Sequence, residues 1–189
     1  MGAYLLNIPN IISIGRLLAV PVIVWMLLRQ FHLAAFYAFV LAGLSDAVDG
    51  FIARRFNARS RLGRYLDPIA DKVMLVSVFV TLGVAGMLPS WLVILVVSRD
   101  VLIIGGVLLS YTLSAPVTIN PLFVSKANTT AQITLVAVVL GQKAFALEGE
   151  GILWLDTALI VLTALTTIVS GIAYLVGWWR QLTAAEMSS

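Results

Sequence analysis

The chain has 189 residues, of which 61% are hydrophobic and only 11% are charged. Soluble domains contain about 45–50% apolar and about 25% charged residues, so this composition argues against a soluble globular protein, and equally against a disordered one. The chain has no cysteine and only one histidine, His32, which excludes disulfide scaffolds, thiolate zinc sites and histidine clusters. Its net charge of +3 is small, but five of its twelve basic residues fall between Arg54 and Arg64.

Six long apolar runs follow one another along the chain, at residues 11–28, 33–53, 63–87, 91–113, 122–141 and 153–179. Each is close to the roughly 20 residues that a helix needs to cross a bilayer. Such continuous runs favour helices over the short alternating segments of a membrane barrel. Because a backbone in lipid must satisfy its hydrogen bonds internally, each run is expected to be helical. The sequence therefore predicts an all-α polytopic membrane bundle of six transmembrane helices, forming one domain over residues 1–189.

Basic residues in short loops predict the orientation of this bundle, because cytoplasmic loops carry an excess of lysine and arginine. The 54–64 loop holds five arginines, and Arg180 follows the last run on the same side. We therefore place this loop and both termini in the cytoplasm. We expect an integral protein of a bacterial inner membrane, with its active site facing the cytoplasm and no nucleic-acid partner.

Four aspartates interrupt the apolar pattern where the second helix ends and the third begins. Asp46 and Asp49 are three residues apart, and Asp67 and Asp71 are four apart, so each pair shares one helix face. The two helices are consecutive and antiparallel, which brings both pairs to the same membrane face. Carboxylates this close cannot all stay ionised without cations between them. Mg²⁺ or Mn²⁺ suits such a site, because these ions prefer oxygen ligands and are often also held by substrate phosphates.

The residues between the two aspartate pairs suit a phosphate ligand. Gly50 leaves room for a ligand near the backbone, and Arg54, one turn further, carries a donor fork that fits phosphate. Ser60 offers a hydroxyl, and Gly63 lies just before the second pair. An isolated aspartate pair is usually solvated or salt-bridged, and arginine loops often only set topology. The combination instead predicts metal ions and a diphosphate at the cytoplasmic interface.

The spacing Asp46-x2-Asp49-Gly50-x2-Ala53-Arg54-x8-Gly63-x3-Asp67-x3-Asp71 resembles the signature of the CDP-alcohol phosphatidyltransferases at every defined position. The resemblance implies that an alcohol attacks CDP-diacylglycerol and displaces CMP, that two metal ions take part, and that the protein is a homodimer with six membrane helices. It further implies roles for individual residues. The metal ligands would be Asp46, Asp49, Asp67 and Asp71, with Asp71 also the general base, and the CDP-diacylglycerol site would include Gly50, Ala53, Arg54, Ser60 and Gly63.

The start of the first helix, NIPNIISIGRLLAVP, is similar to the branch of this family that serves the phosphatidylglycerol pathway. In that branch, positions matching Asn10 to Ser13 lie near the lipid nucleotide, and Arg16 would contact its phosphate. The alternative for Arg16 is a side chain that extends its charge to the membrane surface and only sets topology.

Two acceptor alcohols fit this branch: glycerol 3-phosphate, as in phosphatidylglycerophosphate synthases, and phosphatidylglycerol, as in cardiolipin synthases. Arg99 and Lys126 are candidate ligands of the acceptor phosphate, and a charged Arg99–Asp100 pair within an apolar run should face the bundle interior. The alternative is a structural ion pair. Glycerophosphate enzymes often carry a second lysine where this chain has Asn128. A phosphomonoester carries about two negative charges and a diester one, so fewer cations favour phosphatidylglycerol.

Two other classes of protein also carry acids in membrane helices. A transporter would spread its carboxylates through the membrane depth, whereas these cluster at one face. A structural subunit would not need the four aspartates. Both alternatives predict that Asp71→Asn leaves function intact, whereas an enzyme would lose turnover.

Overall fold

The structure, a computed structural model, describes residues 8–55, 63–112 and 123–186, with side chains described for 12–46, 69–106 and 123–179. These ranges form six helices and contain no strand, which confirms the all-α prediction. The helices are α1 (Ile8–Leu28), α2 (His32–Arg55), α3 (Gly63–Val84), α4 (Ser90–Thr112), α5 (Phe123–Phe145) and α6 (Glu150–Glu186).

Each predicted apolar run corresponds to one helix, and the largest difference lies at the end of the chain. Helix α6 has 37 residues and continues past position 179, where the predicted run ends. The added segment contains Gln181, Ala184, Ala185 and Glu186, which are good helix formers but not apolar enough to extend a hydrophobic run. Helix α6 therefore extends beyond the apolar run from which it is predicted.

Helices α1, α3 and α5 each end in a turn in which a backbone N–H donates to the carbonyl five residues earlier, and Gln30, Gly86 and Ala146 adopt the left-handed conformation there. After α3, the Met87 N–H donates to the Leu82 carbonyl (2.9 Å) and the Gly86 N–H to the Gly83 carbonyl (3.0 Å). Gly86 has a φ of 71°, the left-handed conformation that this motif requires. After α1 the same position is taken by Gln30, with a φ of 61°.

The chain divides into two compact units. The first comprises Met1–Leu88 and Val136–Gly149, and there α1 packs against α2 and α3. Its buried apolar side chains include Ile23, Leu27, Val78, Phe79 and Leu82. The second comprises Pro89–Leu135 and Glu150–Ser189, and there α4 packs against α6. Its buried apolar side chains include Leu92, Val96 and Leu135.

Large apolar side chains cover much of the outer surface of the described helices. Val84, Trp154 and Trp179 are among the most exposed. Contiguous apolar surface of this kind marks contact with lipid or with another protein. Within the described residues, Phe123–Phe145 and Glu150–Trp179 are long and apolar enough to cross a membrane. The six-span topology and the single-domain organisation stay predictions.

Candidate functional site

The first polar cluster joins the first three helices through one arginine. Arg16 Nη1 on α1 lies 2.7 Å from Asp46 Oδ1 on α2, and it also donates to Asp71 Oδ1 on α3. The Arg16 side chain is 1% exposed, whereas those of Asp46 and Asp71 are 40% and 42% exposed. Two carboxylates from separate helices therefore converge on one buried positive charge while keeping solvent access.

The packing of the helices explains this convergence. Ser13 and Arg16 lie one turn apart on α1 and are both buried, so they share the face that α1 packs against its neighbours. Asp46 lies in the last part of α2 and Asp71 in the first part of α3. Because Arg16 is buried, the alternative in which it extends to the membrane surface is wrong for this structure. Its contact with a substrate phosphate stays a prediction.

The donor set at this cluster fits a divalent cation. Asp46 and Asp71 each direct a carboxylate oxygen to the same cationic nitrogen, so the position between them accommodates positive charge. Carboxylate oxygens are the ligands that Mg²⁺ and Mn²⁺ prefer. The side chains that the structure describes include no group of three potential ligands. The helical backbone places positions 49 and 67 one turn from Asp46 and Asp71.

Most of the other predicted nucleotide and metal residues lie outside the described side chains. Ser60 lies outside the described residues altogether. Seven more belong to described helices, but their side chains are not described: Asn10, Asp49, Gly50, Ala53, Arg54, Gly63 and Asp67. Their predicted roles therefore stay predictions.

The second polar cluster surrounds Arg99 on α4. Its Nη1 donates to Asp100 Oδ1 at 2.7 Å, and its Nη2 donates to Ser125 Oγ at 2.8 Å and also to Ser170 Oγ. The guanidinium carbon lies 5.6 Å from the centre of the Tyr174 ring. Arg99 and Asp100 are both buried, which confirms that the pair faces the interior. The contacts are those of the ion-pair alternative, and a role of Arg99 in acceptor binding stays a prediction. Lys126, the other candidate, is exposed.

A buried polar seam lies between α5 and α6, made of Asn128, Gln132, Thr163, Thr166 and Thr167. Asn128 Oδ1 accepts hydrogen bonds from Thr166 Oγ1 at 3.0 Å and from Thr167 Oγ1 at 2.8 Å. Asn128, Gln132, Thr163 and Thr167 are fully buried. From the sequence alone, Asn128 is interpreted only as a missing charge, and no role is predicted for the other members of the seam.

A signal for the polar seam is nevertheless present in the sequence. Ser125, Asn128 and Gln132 are spaced by three and four residues on α5, and Thr163, Thr167 and Ser170 are spaced by four and three on α6. Each set therefore lies on one helix face within an apolar run. Such stripes predict that the two polar faces meet.

Comparison with known proteins gives the following matches. The sequence pattern of the CDP-alcohol phosphatidyltransferase family matches residues 6–182. A chloroplastic CDP-diacylglycerol–glycerol-3-phosphate 3-phosphatidyltransferase of Oryza sativa subsp. japonica is 39% identical over 186 residues, which cover 89% of this chain and 56% of the relative. The cardiolipin synthase (CMP-forming) of Homo sapiens is 37% identical over 187 residues, covering 89% and 60%.

A bacterial relative is matched along nearly its whole length. The CDP-diacylglycerol–glycerol-3-phosphate 3-phosphatidyltransferase of Bacillus subtilis is 30% identical over 191 residues, covering 93% of this chain and 97% of the relative. By contrast, the chain spans 56–60% of the length of the rice and human relatives. Relatives named for glycerol 3-phosphate and a relative named cardiolipin synthase are thus both similar to this chain.

Proposed function

The chain belongs to the CDP-alcohol phosphatidyltransferase family, and on that premise we propose that it transfers a phosphatidyl group from CDP-diacylglycerol to phosphatidylglycerol, giving cardiolipin and CMP. The observation that carries this proposal is the convergence of Asp46 and Asp71 on Arg16. These two residues are the first and last aspartates of the family signature. They lie 25 positions apart in the sequence, yet their carboxylates contact the same nitrogen.

The family generally uses divalent metal ions, and two such ions are proposed here, either Mg²⁺ or Mn²⁺. The residues that would hold them are Asp46, Asp49, Asp67 and Asp71. Bound there, the ions would stabilise the attacking and leaving oxygens of an in-line displacement.

Asp71 is proposed as the general base. Its carboxylate is part-exposed, so an acceptor hydroxyl has access to it. The carboxylate takes the hydroxyl proton, and the alcohol oxygen forms a bond to the phosphorus nearest the diacylglycerol. The bond from that phosphorus to the bridging oxygen breaks, and CMP leaves with the bridging oxygen.

Arg16 is proposed to hold a phosphate oxygen of CDP-diacylglycerol. Its guanidinium already lies beside the two carboxylates, and its fixed donor fork fits phosphate oxygens. The remaining nucleotide contacts are proposed for Asn10, Ser13, Gly50, Ala53, Arg54, Ser60 and Gly63.

The proposal of phosphatidylglycerol as acceptor rests on the charge near Arg99. Asp100 already balances the Arg99 guanidinium, and Asn128 is neutral, fully buried and hydrogen-bonded to two threonines. A second lysine at position 128 would place an ammonium group in that buried seam. With Lys126 as the further cation, the site suits a phosphodiester better than a phosphomonoester. Glycerol 3-phosphate is the alternative acceptor.

The setting is proposed to be a bacterial inner membrane, with six spans, both termini and the active site on the cytoplasmic side, and a homodimeric assembly. Support comes from the exposed apolar side chains and from the two helices that are long enough to cross a bilayer. Family resemblance alone supports the dimer.

The test is CMP release from CDP-diacylglycerol by the purified chain in detergent with Mg²⁺ or Mn²⁺. We expect release with phosphatidylglycerol and little with glycerol 3-phosphate. Asp71→Asn should lower the rate by about 10²–10⁴-fold, because the base is lost. Asp156→Asn, the same change at an aspartate of α6 outside the signature, serves as the control and should keep the wild-type rate.

The outcomes separate the alternatives. Release with glycerol 3-phosphate alone would replace the proposed acceptor and keep the reaction class. Wild-type turnover by Asp71→Asn would refute the assignment of the base. A folded protein that releases CMP with neither acceptor would contradict the proposed reaction.

A further inference from the structure

The buried polar seam between α5 and α6 contains polar atoms whose hydrogen bonding is incomplete. Within the part of the chain that the structure describes, four of its buried atoms make no hydrogen bond: Asn128 Nδ2, Gln132 Nε2, Gln132 Oε1 and Thr163 Oγ1. All three side chains are fully buried. Most buried polar groups in native proteins have a partner, so this group of atoms at one helix contact requires an explanation.

Thr163 differs from its neighbours on α6 in what its hydroxyl does. Thr166 Oγ1 donates to the Leu162 carbonyl at 2.9 Å, and Thr167 Oγ1 donates to the Thr163 carbonyl at 2.6 Å, in each case four residues earlier. This bond within the helix is a common way to satisfy a threonine hydroxyl. Among the described residues, Thr163 Oγ1 makes no such bond. Its hydroxyl is therefore left for a partner from outside α6.

Gln132 and Thr163 lie at the same level of the seam. Gln132 follows Asn128 by four residues on α5, and Thr163 precedes Thr167 by four residues on α6. The two helices are consecutive and antiparallel, and Asn128 contacts Thr167. One further turn along each helix therefore brings Gln132 opposite Thr163, roughly 5 Å from the Asn128 contact.

Water is the ligand that suits these atoms. A water molecule can donate to Gln132 Oε1 and accept from Gln132 Nε2 and Thr163 Oγ1. The atoms are enclosed by protein, so no water molecule reaches them while the helices stay in this conformation. Hydration therefore requires the two helices to move apart. Ser125, which is only part-buried at the start of the same α5 face, marks the end from which water would enter.

We propose that α5 and α6 separate along the seam in a second conformation, in which water enters and hydrogen-bonds Asn128, Gln132 and Thr163. The closed conformation leaves these groups unsatisfied, and hydration recovers the free energy that this costs. The open conformation is therefore populated without global unfolding. This opening is independent of the proposed reaction. The alternative is a direct hydrogen bond from Thr163 to Gln132 after a side-chain rotation, which would keep water out.

The absence of native cysteine provides the test. Thr163→Cys in the full chain in detergent should react with a small charged methanethiosulfonate at least tenfold faster than Val96→Cys. Val96 is the matched control, because valine has the shape of threonine and this valine is fully buried on α4 in the same unit. Global unfolding exposes both thiols alike, so a difference in rate reports local opening.

A second substitution tests whether unsatisfied polar groups drive the opening. Adding Gln132→Leu to Thr163→Cys removes the amide and should slow the modification at least threefold. Gln132→Leu alone should keep or raise the thermal midpoint, because it removes two polar atoms that have no partner in the closed seam.

Equal rates for Thr163→Cys and Val96→Cys would overturn the proposal, because the seam would then open only on global unfolding. A lowered thermal midpoint in Gln132→Leu would also overturn it, since the amide would then have a stabilising partner in the closed seam. An unslowed modification in the double variant would contradict hydration of Gln132 as the cause. If Gln132→Leu does not fold, the comparison of Thr163→Cys with Val96→Cys still decides.

Discussion

Arg16 compensates two carboxylates that would otherwise repel each other. A charge buried without a partner is costly, and the Arg16 side chain is 1% exposed, so its pairing with Asp46 and Asp71 is what makes its burial tolerable. Arg16 Nη1 lies between the Asp46 and Asp71 carboxylates, at the position that would also suit a metal cation. Arginine and metal would therefore compete for the same carboxylate oxygens.

This competition gives a prediction for Arg16→Gln. In EDTA the variant should lose about 1–3 kcal/mol of stability, less than for a fully buried pair because both aspartates are part-exposed. Mg²⁺ should then raise its thermal midpoint more than it raises that of the wild type, because binding to the folded state relieves the repulsion. Thermal unfolding in detergent, with and without Mg²⁺, measures both effects.

Arg29→Gln provides the comparison, because Arg29 is exposed in the turn after α1. It should respond to Mg²⁺ as the wild type does. An equal Mg²⁺ response in Arg16→Gln and the wild type would show that the arginine and the metal do not compete.

The sequence was sufficient to predict that Asp46 and Asp71 meet, but not that Arg16 joins them. Asp46 and Asp71 belong to consecutive helices, and their convergence on one nitrogen follows from helical spacing and a short connection. Arg16 lies 55 residues from Asp71, and the face that α1 presents depends on packing with both neighbours. No pattern within α1 alone specifies that face, because its apolar residues surround the helix.

At the scale of the elements, the short connections depend on residues that adopt the left-handed conformation. Gly86 after α3 and Gln30 after α1 occupy the same place in the turn, with φ values of 71° and 61°. A side chain costs roughly 1–2 kcal/mol in this conformation, so α1 ends at an energetic cost that α3 avoids.

Gly86→Ala should therefore destabilise the protein by about 1 kcal/mol, through backbone conformation alone, since an added Cβ meets nothing within 4 Å. Gly43→Ala on α2 has equally open surroundings but a helical backbone, and it should stabilise by about 0.5–1 kcal/mol. Thermal midpoints in detergent should move in opposite directions. Midpoints that fall together would indicate crowding at both sites.

The positions of the helices could be predicted from the apolar runs, because continuous apolar segments long enough to cross a bilayer favour helices over strands. The end of α6 could not be predicted in this way, because the residues after Trp179 favour a helix but are no longer predominantly apolar. The Arg99 cluster was predicted to be buried, but its serine partners required knowledge of how α4, α5 and α6 meet.

At the scale of the whole molecule, the absence of cysteine allows a direct test of the proposed topology. Arg29→Cys and Glu148→Cys place thiols in exposed turns, after α1 and between α5 and α6. With six spans and cytoplasmic termini, a membrane-impermeant maleimide should label both from outside intact cells. Ser188→Cys, which follows α6 in the sequence, should be labelled only after permeabilisation.

The three variants are first matched for CMP release, so that only functional protein is compared. Labelling of Ser188→Cys in intact cells would place the C-terminus outside. Labelling of only one of the two turn variants would place the two turns on opposite sides of the membrane. That result would contradict the proposed topology, in which four spans separate them.

The polar seam has a consequence for how the helices find their orientation. In lipid, apolar faces discriminate poorly between rotations of a helix, because contact with a neighbour resembles contact with acyl chains. Asn128 Oδ1 accepts from two adjacent hydroxyls, on Thr166 and Thr167. Rotating α6 by one residue, about 100°, would break this paired contact. The seam thus fixes the azimuth of α6, that is, its rotation about its own axis. With that rotation it also fixes the placement of Ser170 and Tyr174 beside Arg99.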